Sequence, residues 1–547
     1  MKKLLVLSLI ILIASCSKSS KTQPSASDLN FFSKNNNAKT STINADCYAD
    51  CNLGVDTNPG TNASPKKHIQ ACINLSSIVD GSTVIAKSGT PTTPKIYLEN
   101  INFNGKNITV ASNFINTGDP HDIYGTIIDG NHNGSVVTIA SKEDNNAQLM
   151  GFTIQNGLAA NGGGIYVAGA GETIYNDGQQ FATTPQLRNL KITLNTATSF
   201  GGGIFIADSE LPNTTPVVMQ NLEISSNNAA QGGGIFANIA TLSLTDTKLI
   251  GNTAAGDDAA MSLISVTAVG DIDKLYIEGN HVEGGSCAGG RIRPISVYGM
   301  TPNNSTNIRV TNSVVVNNIA SLKGDSCNDT GKCGGLCAEV GFDNYGIISK
   351  VDLVNSTFAK NKSKSQQSGG LCILLHDLGR VNVINSIFWD NTKNYGSLNI
   401  PESAHQITII NSPGSLANNV GLAYNDIQGG FSDIITYDIP NNSYYQPASS
   451  IFLSGNINLD PLFVDPINGN YSINLNSPAV NTGTNSISIG GQSIAIPTDD
   501  IVNMLRPSPS GTKVDMGAYE VEQVVIPTFD SRPSNGLTVK PFKPRPH

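Results

Sequence analysis

A seven-residue frame ending on asparagine recurs eight times between residues 150 and 391, and a chain that repeats one short pattern at variable intervals is restricted to stacking copies of one unit. The closest pair is NSTFAKN, Asn355 to Asn361, and NSIFWDN, Asn385 to Asn391. The others are MGFTIQN from Met150, NLKITLN from Asn189, NLEISSN from Asn221, DTKLIGN from Asp246, KLYIEGN from Lys274 and NSVVVNN from Asn312. Successive terminal asparagines lie 39, 32, 25, 28, 38, 43 and 30 residues apart, so the core pattern is kept while the excursions vary. Three residues before the asparagine stands an apolar residue in seven of the eight: Ile192, Ile224, Leu249, Ile277, Val315, Phe358 and Phe388. Each frame therefore reads as a short strand.

Most units carry a second signal, a glycine cluster running into β-branched or aromatic residues. It reads NGGGIYV from Asn161, FGGGIFI from Phe200, QGGGIFA from Gln231, CGGLCAE from Cys333 and SGGLCIL from Ser368. Glycine accepts positive φ and close backbone approach, so the cluster predicts a corner followed by another strand. A unit of strand, corner and strand cannot bury its own apolar face, but stacked neighbours can. Parallel stacking at roughly 4.8 Å per coil makes eight coils about 38 Å long. The asparagines then form a side-chain amide ladder, each donating to the next. The expected fold class is all-β, a parallel β-helix.

Composition agrees: 14% charged residues and 54 glycines leave too little charge and too much glycine for long amphipathic helices. A net charge of -9 and a pI near 5.3 exclude a nucleic-acid partner.

The N-terminus begins Met1, Lys2, Lys3 and runs apolar from Leu4 to Ala14, eleven residues that are too few to cross a bilayer and read as an export signal. Ile13-Ala14-Ser15-Cys16 resembles the bacterial lipobox. That resemblance implies cleavage before Cys16, a diacylglycerol on its sulfur, and an exported lipoprotein anchored at the outer membrane or cell surface. The expected organisation is a signal peptide at 1–15, a flexible tether at 16–45, an N-terminal cap and first coils at 46–111, β-helix repeats at 112–430, C-terminal coils at 431–521 and a tail at 522–547.

Without Cys16 eight cysteines remain, an even number for an oxidising compartment. Cys337 and Cys372 hold the same place in two GGLC copies, so adjacent coils would bring them within disulfide reach, and a Cys337 to Cys372 bridge is expected. A zinc site is the rival reading, but no histidine stands at ligand spacing.

The segment from His68, HIQACINLSSIVDGSTVIAKSG, continued to Ala111, resembles the opening of pectin-lyase-like right-handed β-helices. The resemblance implies a capping helix near Ile69 to Leu75 and strands at Thr83 to Ala86 and Ile108 to Ala111. The Gly-Gly-Gly-Ile and Phe-x-x-Asn elements also resemble repeats of chlamydial polymorphic outer-membrane proteins, which are adhesins; the Pro- and Lys-containing tail from Ser531 departs from their membrane barrel. DPLFVDPINGNYSINLNSPAVNTG from Asp460 and RPSPSGTKVDMGAYE from Arg506 resemble the choice-of-anchor Q domain, with Asn481 at a usual aspartate and Asn503 in the run before Arg506. Polar contacts at those two positions are therefore in doubt.

The candidate acids for chemistry are Asp119 and Asp122 flanking His121, Glu143 with Asp144, and Asp257 with Asp258. Such pairs can bind Ca2+ or act as acid and base, but solvated turns explain adjacent acids more often. No cofactor is required. Arg291 and Arg293 share one face of a strand, to grip an acidic sugar or to pair with neighbouring acids, the latter being favoured. Trp389 with Phe388, and Tyr444 with Tyr445, are candidates to stack on sugars, although Phe388 holds the repeated apolar position. The expectation is a non-catalytic surface protein binding glycans or cell surfaces, with a polysaccharide lyase or hydrolase as the alternative. Function is expected in the excursions before Asn318 and Asn361.

Overall fold

The computed structural model describes residues 24, 26–33, 42–169, 182–207, 215–285, 287–294, 306–321, 333–341, 348–365, 367–376, 378–393, 403–411, 419–439, 441 and 443–522. Cys16, the signal peptide, Cys327 and all of the tail but residue 522 lie outside them, as do parts of the excursions before Asn318 and Asn361.

The fold is a right-handed parallel β-helix with a short helical cap. Each full coil runs through four faces, three in one large sheet and the fourth in a separate nine-stranded sheet. The first face follows the glycine corner, as in Ile165–Ala168, Ile204–Ala207 and Gly290–Pro294. The second precedes the frame, the third lies inside the frame, and the fourth follows the terminal asparagine, as in Thr196–Phe200. On the third face ten successive parallel pairings, from Lys95–Leu98 to Asp426–Ile427, make eleven rungs, about 48 Å at the usual spacing.

Two left-handed bends bracket the frame. Its first residue has positive φ at Asn189, Asn221, Asp246, Lys274, Asn312, Asn355 and Asn385, between 48° and 57°. The residue before the terminal asparagine does the same at Leu194, Ser226, Gly251, Gly279, Asn317, Lys360 and Asp390. Asparagine, aspartate and glycine at these points meet the conformation at least cost. The terminal asparagine itself serves a different purpose. Asn195 donates to Asn227 at 3.0 Å, Asn227 to Asn252 at 3.1 Å, Asn252 to Asn280 at 3.0 Å, and Asn280, Asn318 and Asn361 each to the next at 2.9 Å. Asn391 closes the row on Gln406 at 2.8 Å. The row is buried, so pairing every amide is obligatory.

The first frame needs correction by one residue. Arg188 pairs with Met150 and Ile192 with Ile154, so the unit runs from Gly151 to Gly157, and Gly157 rather than Asn156 meets Asn195. Ile154 then takes the apolar position, which removes the one exception to the pattern. The glycine corners pack as expected: a Cβ on Gly163 would stand 2.4 Å from the Thr196 carbonyl oxygen, and one on Gly164 2.5 Å from that of Gly203.

At the N-terminal end helix Ile69–Ile73 buries Ile69, Cys72 and Ile73 over the first coil, and Cys72 is bonded to Cys47. The Glu99 carboxylate receives the amides of Ile69 and Gln70 at 2.8 and 2.9 Å, satisfying the helix start. Part of the expected tether, Ala26–Ser33, is a helix whose Phe32 is buried against Phe114 and Ile123. At the other end the chain from about Gly455 to Val521 lies along the outside of the second and third faces. Tyr276 Oη donates to the Gly469 carbonyl at 3.0 Å, Asn355 Nδ2 to that of Asp515 at 2.9 Å, and the Ala518 amide to Thr357 Oγ1 at 3.0 Å. Inside this strap Arg506 is fully buried on Glu520 at 2.8 Å. Of the two positions in doubt, Asn503 makes a side-chain contact, accepting from Lys274 at 2.7 Å, whereas Asn481 pairs through its backbone N–H with Asp515 at 2.7 Å and its buried Oδ1 has no partner among the described residues.

Candidate functional site

On the first face the outward side chains form one column across neighbouring rungs. In register it reads Tyr166, Phe205, Phe236, Ser262, Arg291, Cys337, Cys372, Thr408 and Ile435. Tyr166, Phe205 and Phe236 stack at centroid separations of 5.3 and 5.7 Å. Where the aromatics stop, a charged cluster begins.

Asp258 occupies the place of the first corner glycine. The register of the following strands aligns Gly232, Asp258, Cys287, Cys333 and Ser368 at one position, and Asp258 keeps the positive φ of Gly232, 56° against 65°. Its fully buried carboxylate accepts from Ser262 Oγ at 2.8 Å and stands 3.4 Å from Arg291 Nε. Arg291 Nη1 reaches Glu339 at 3.3 Å, Arg293 stands 3.9 Å from Glu339, and His376 Nε2 is 3.5 Å from it. Burial pushes Asp258 up to about 6 against the pull of Arg291. Burial also works to raise Glu339, but His376 and the two guanidiniums hold it below the usual range. Arg291 is held charged, chiefly by Asp258. The acids are shut in, at 0% and 5% side-chain exposure, while Arg291, Arg293 and His376 keep 16, 19 and 23%.

The pairing of Arg291 and Arg293 with acids is as expected, whereas the solvated turn favoured for Asp257 and Asp258 needs correction, because Asp258 is fully buried beneath Arg291. Asp257, next in the chain, adds negative charge that raises Asp258. Glu339 ends the CGGLCAE copy of the glycine-cluster pattern and His376 follows the SGGLCIL copy, but no other copy carries an acid or a histidine there, so neither stood out. Aligning SCAGGRI with KCGGLCA would have placed Glu339 beside the arginines.

The other candidates serve the fold. Asp119 caps the helix Pro120–Gly125 through the His121 amide at 2.9 Å and pairs with His121 Nδ1 at 2.7 Å, at the surface. Burial raises Asp122, beside Thr117. Glu143 is buried and accepts the amides of Gly105 and Ser141 at 2.8 and 2.6 Å, while Asp144 caps Asn146 at 2.7 Å. Phe388 is core, stacked on Phe358 at 4.7 Å, and half-buried Trp389 packs under the C-terminal strap. Tyr444 and Tyr445 are 43% and 42% exposed on a strand that pairs antiparallel with the last rung of the first face, and Tyr444 lies 4.7 Å from the Tyr437 ring.

The expected Cys337 to Cys372 bridge needs correction. The two are register neighbours, as their GGLC positions imply, but Cys337 is bonded to Cys287, and Cys372 is a buried thiol near Cys333. Lateral neighbours point their side chains the same way, whereas Cys287 reaches Cys337 diagonally across the corner. Among the described residues the group with metal-ligand spacing is Cys333, Cys337 and Cys372, whose sulfurs lie within 4.8 Å of one another.

No family model matches the sequence, and no curated protein does. Among solved structures, pectate lyase Pel9A is similar at 14% identity and a TM-score of 0.39, over 88% of this chain and 98% of that one. A GH136 lacto-N-biosidase from Eubacterium ramulus is similar at 11% identity and a TM-score of 0.22, over 68% of this chain and 64% of that one. Likenesses this distant carry no argument about chemistry, and the fold stands on its own strand register.

Proposed function

We propose that this chain is an exported lipoprotein, anchored through Cys16, whose first β-helix face binds anionic glycans at a cell surface without cleaving them. The observation that carries this reading is the layering around Arg291: the carboxylates lie behind the guanidiniums, so an incoming group meets the edges of Arg291, Arg293 and His376. Guanidinium forks suit carboxylate or sulfate groups. Five strands further, about 24 Å along the same face, the Tyr444 and Tyr445 strand offers aromatic surface for sugar rings. A glycan array of neutral and anionic sugars, with unsaturated-product and turbidity assays on the same sample, tests it. The expected result is anionic-glycan binding that weakens with salt and no product; depolymerisation that disappears in Asp258→Asn contradicts it.

The alternative, a polysaccharide lyase or hydrolase, has one observation in its favour. Asp258 and Glu339 are two carboxyls whose surroundings push their proton affinities apart, the pattern expected of an acid and base. Both, however, are engaged by the same Arg291.

A further inference from the structure

The four cysteines around the first face occupy two stacked positions. Cys287 and Cys333 are bridge partners at the corner, and Cys337 and Cys372 are register partners on the strand that follows. Moving up one rung therefore carries Cys287 onto Cys333 and Cys337 onto Cys372. The bond from Cys287 to Cys337, with a Cα separation of 6.1 Å, runs from the corner of one rung to the strand position four residues on in the next. The same diagonal is a contact one rung below, where Asp258 meets Arg291 at 3.4 Å, and two rungs above, where the Ser368 amide donates to Thr408 Oγ1 at 3.0 Å. Between them falls the pair Cys333 and Cys372, both thiols, both at most 1% exposed, with sulfurs within 4.8 Å.

We propose that Cys333 and Cys372 form a second disulfide, the translational copy of Cys287–Cys337, and that the two bonds staple the three strands holding the charged cluster. Those strands are Gly290–Pro294 with Arg291 and Arg293, Leu336–Val340 with Glu339, and Leu371–Leu375, after which His376 follows. In forming the bond the two thiols lose two protons and two electrons to a small disulfide such as oxidised glutathione, which leaves as two thiols. Neutral buried thiols are poor nucleophiles, so the bond forms before the corner closes and thereafter resists reductant.

Non-reducing peptide mapping of the full chain, with fragmentation between Cys333 and Cys337, tests the proposal. The expected map links Cys287 to Cys337 and Cys333 to Cys372. Under denaturing, non-reducing alkylation, Cys333→Ser then gains one adduct over the wild type, because Cys372 is released. One adduct fewer means both thiols were free and overturns the proposal. So do Cys287–Cys333 with Cys337–Cys372, a link from Cys327 to either thiol, or stoichiometric zinc released together with four alkylatable thiols. A failure of Cys333→Ser to fold leaves the wild-type map decisive.

Discussion

The asparagine row and the first-face column are both one-residue-per-rung stacks on the same solenoid, and they behave in opposite ways. The row repeats one side chain because an amide is both donor and acceptor, so each copy satisfies the next and any other residue leaves orphans. The column changes from aromatic to serine, arginine, cysteine and threonine within a few rungs. From Arg291 onward its members meet corner residues of the preceding rung, Asp258 on Arg291, Cys287 on Cys337 and Ser368 on Thr408, through diagonal contacts whose chemistry differs from one to the next. Repetition marks the scaffold, and on the first face its breakdown coincides with the charged cluster around Arg291.

The largest effect expected from this contrast is at the centre of the row. Asn318 Oδ1 accepts from the Asn280 amide and side chain, both at 2.9 Å, and its Nδ2 donates to Ile277 O and Asn361. Asn318→Ala should cost about 4 kcal/mol in urea unfolding, from several buried groups left unpaired. A cost below that of an average surface substitution would break the distinction.

Next comes Arg291→Met, which leaves Asp258 and Glu339 buried without their shared partner and should cost about 3 kcal/mol at pH 8. At pH 5 the cost should shrink, because Asp258 with its affinity near 6 is by then protonated in the wild type. Thermal melts at the two pH values read this directly.

A smaller effect of opposite sign tests the repeating face where its pattern fails. Asp426 stands in register with Ile387, fully buried, with Oδ2 unpartnered among the described residues, and burial pushes it up to about 7. A raised carboxyl binds its proton more tightly when folded, so its contribution is full below the ordinary carboxylate value and is lost as pH rises through about 7. Asp426→Asn, which can keep the bond from the Leu459 amide at 3.1 Å, should therefore gain about 2 kcal/mol over the wild type at pH 8 and less at pH 5. Smallest is Tyr444→Ala, expected to weaken glycan binding about fivefold without changing the melting temperature.

The sequence makes the scaffold legible because its signals recur: the apolar position, the amide row and the glycine corner each appear often enough to be aligned by eye. The misplaced first frame shows the limit, since Asn156 and Gly157 differ by one position and only strand pairing decides between them. The candidate site was half legible. Arg291 and Arg293 stand out at i and i+2, but the diagonal from corner to next rung, which joins Asp258 to Arg291 and Cys287 to Cys337, is a property of the coil and not of any spacing in the chain. The helix Ala26–Ser33 escaped because two phenylalanines in a polar stretch weigh little in composition and much in packing.

Hydrogen–deuterium exchange of the full chain with and without a polygalacturonate oligosaccharide tests the central claim most directly, because it reads both stacks in one experiment. Added protection should appear on Gly290–Pro294, Leu336–Val340 and Ser443–Tyr445, with the frames around Asn318 and Asn361 unchanged. Protection confined to the frames and the C-terminal strap, or none on any face at saturating oligosaccharide, would contradict the assignment of binding to the first face.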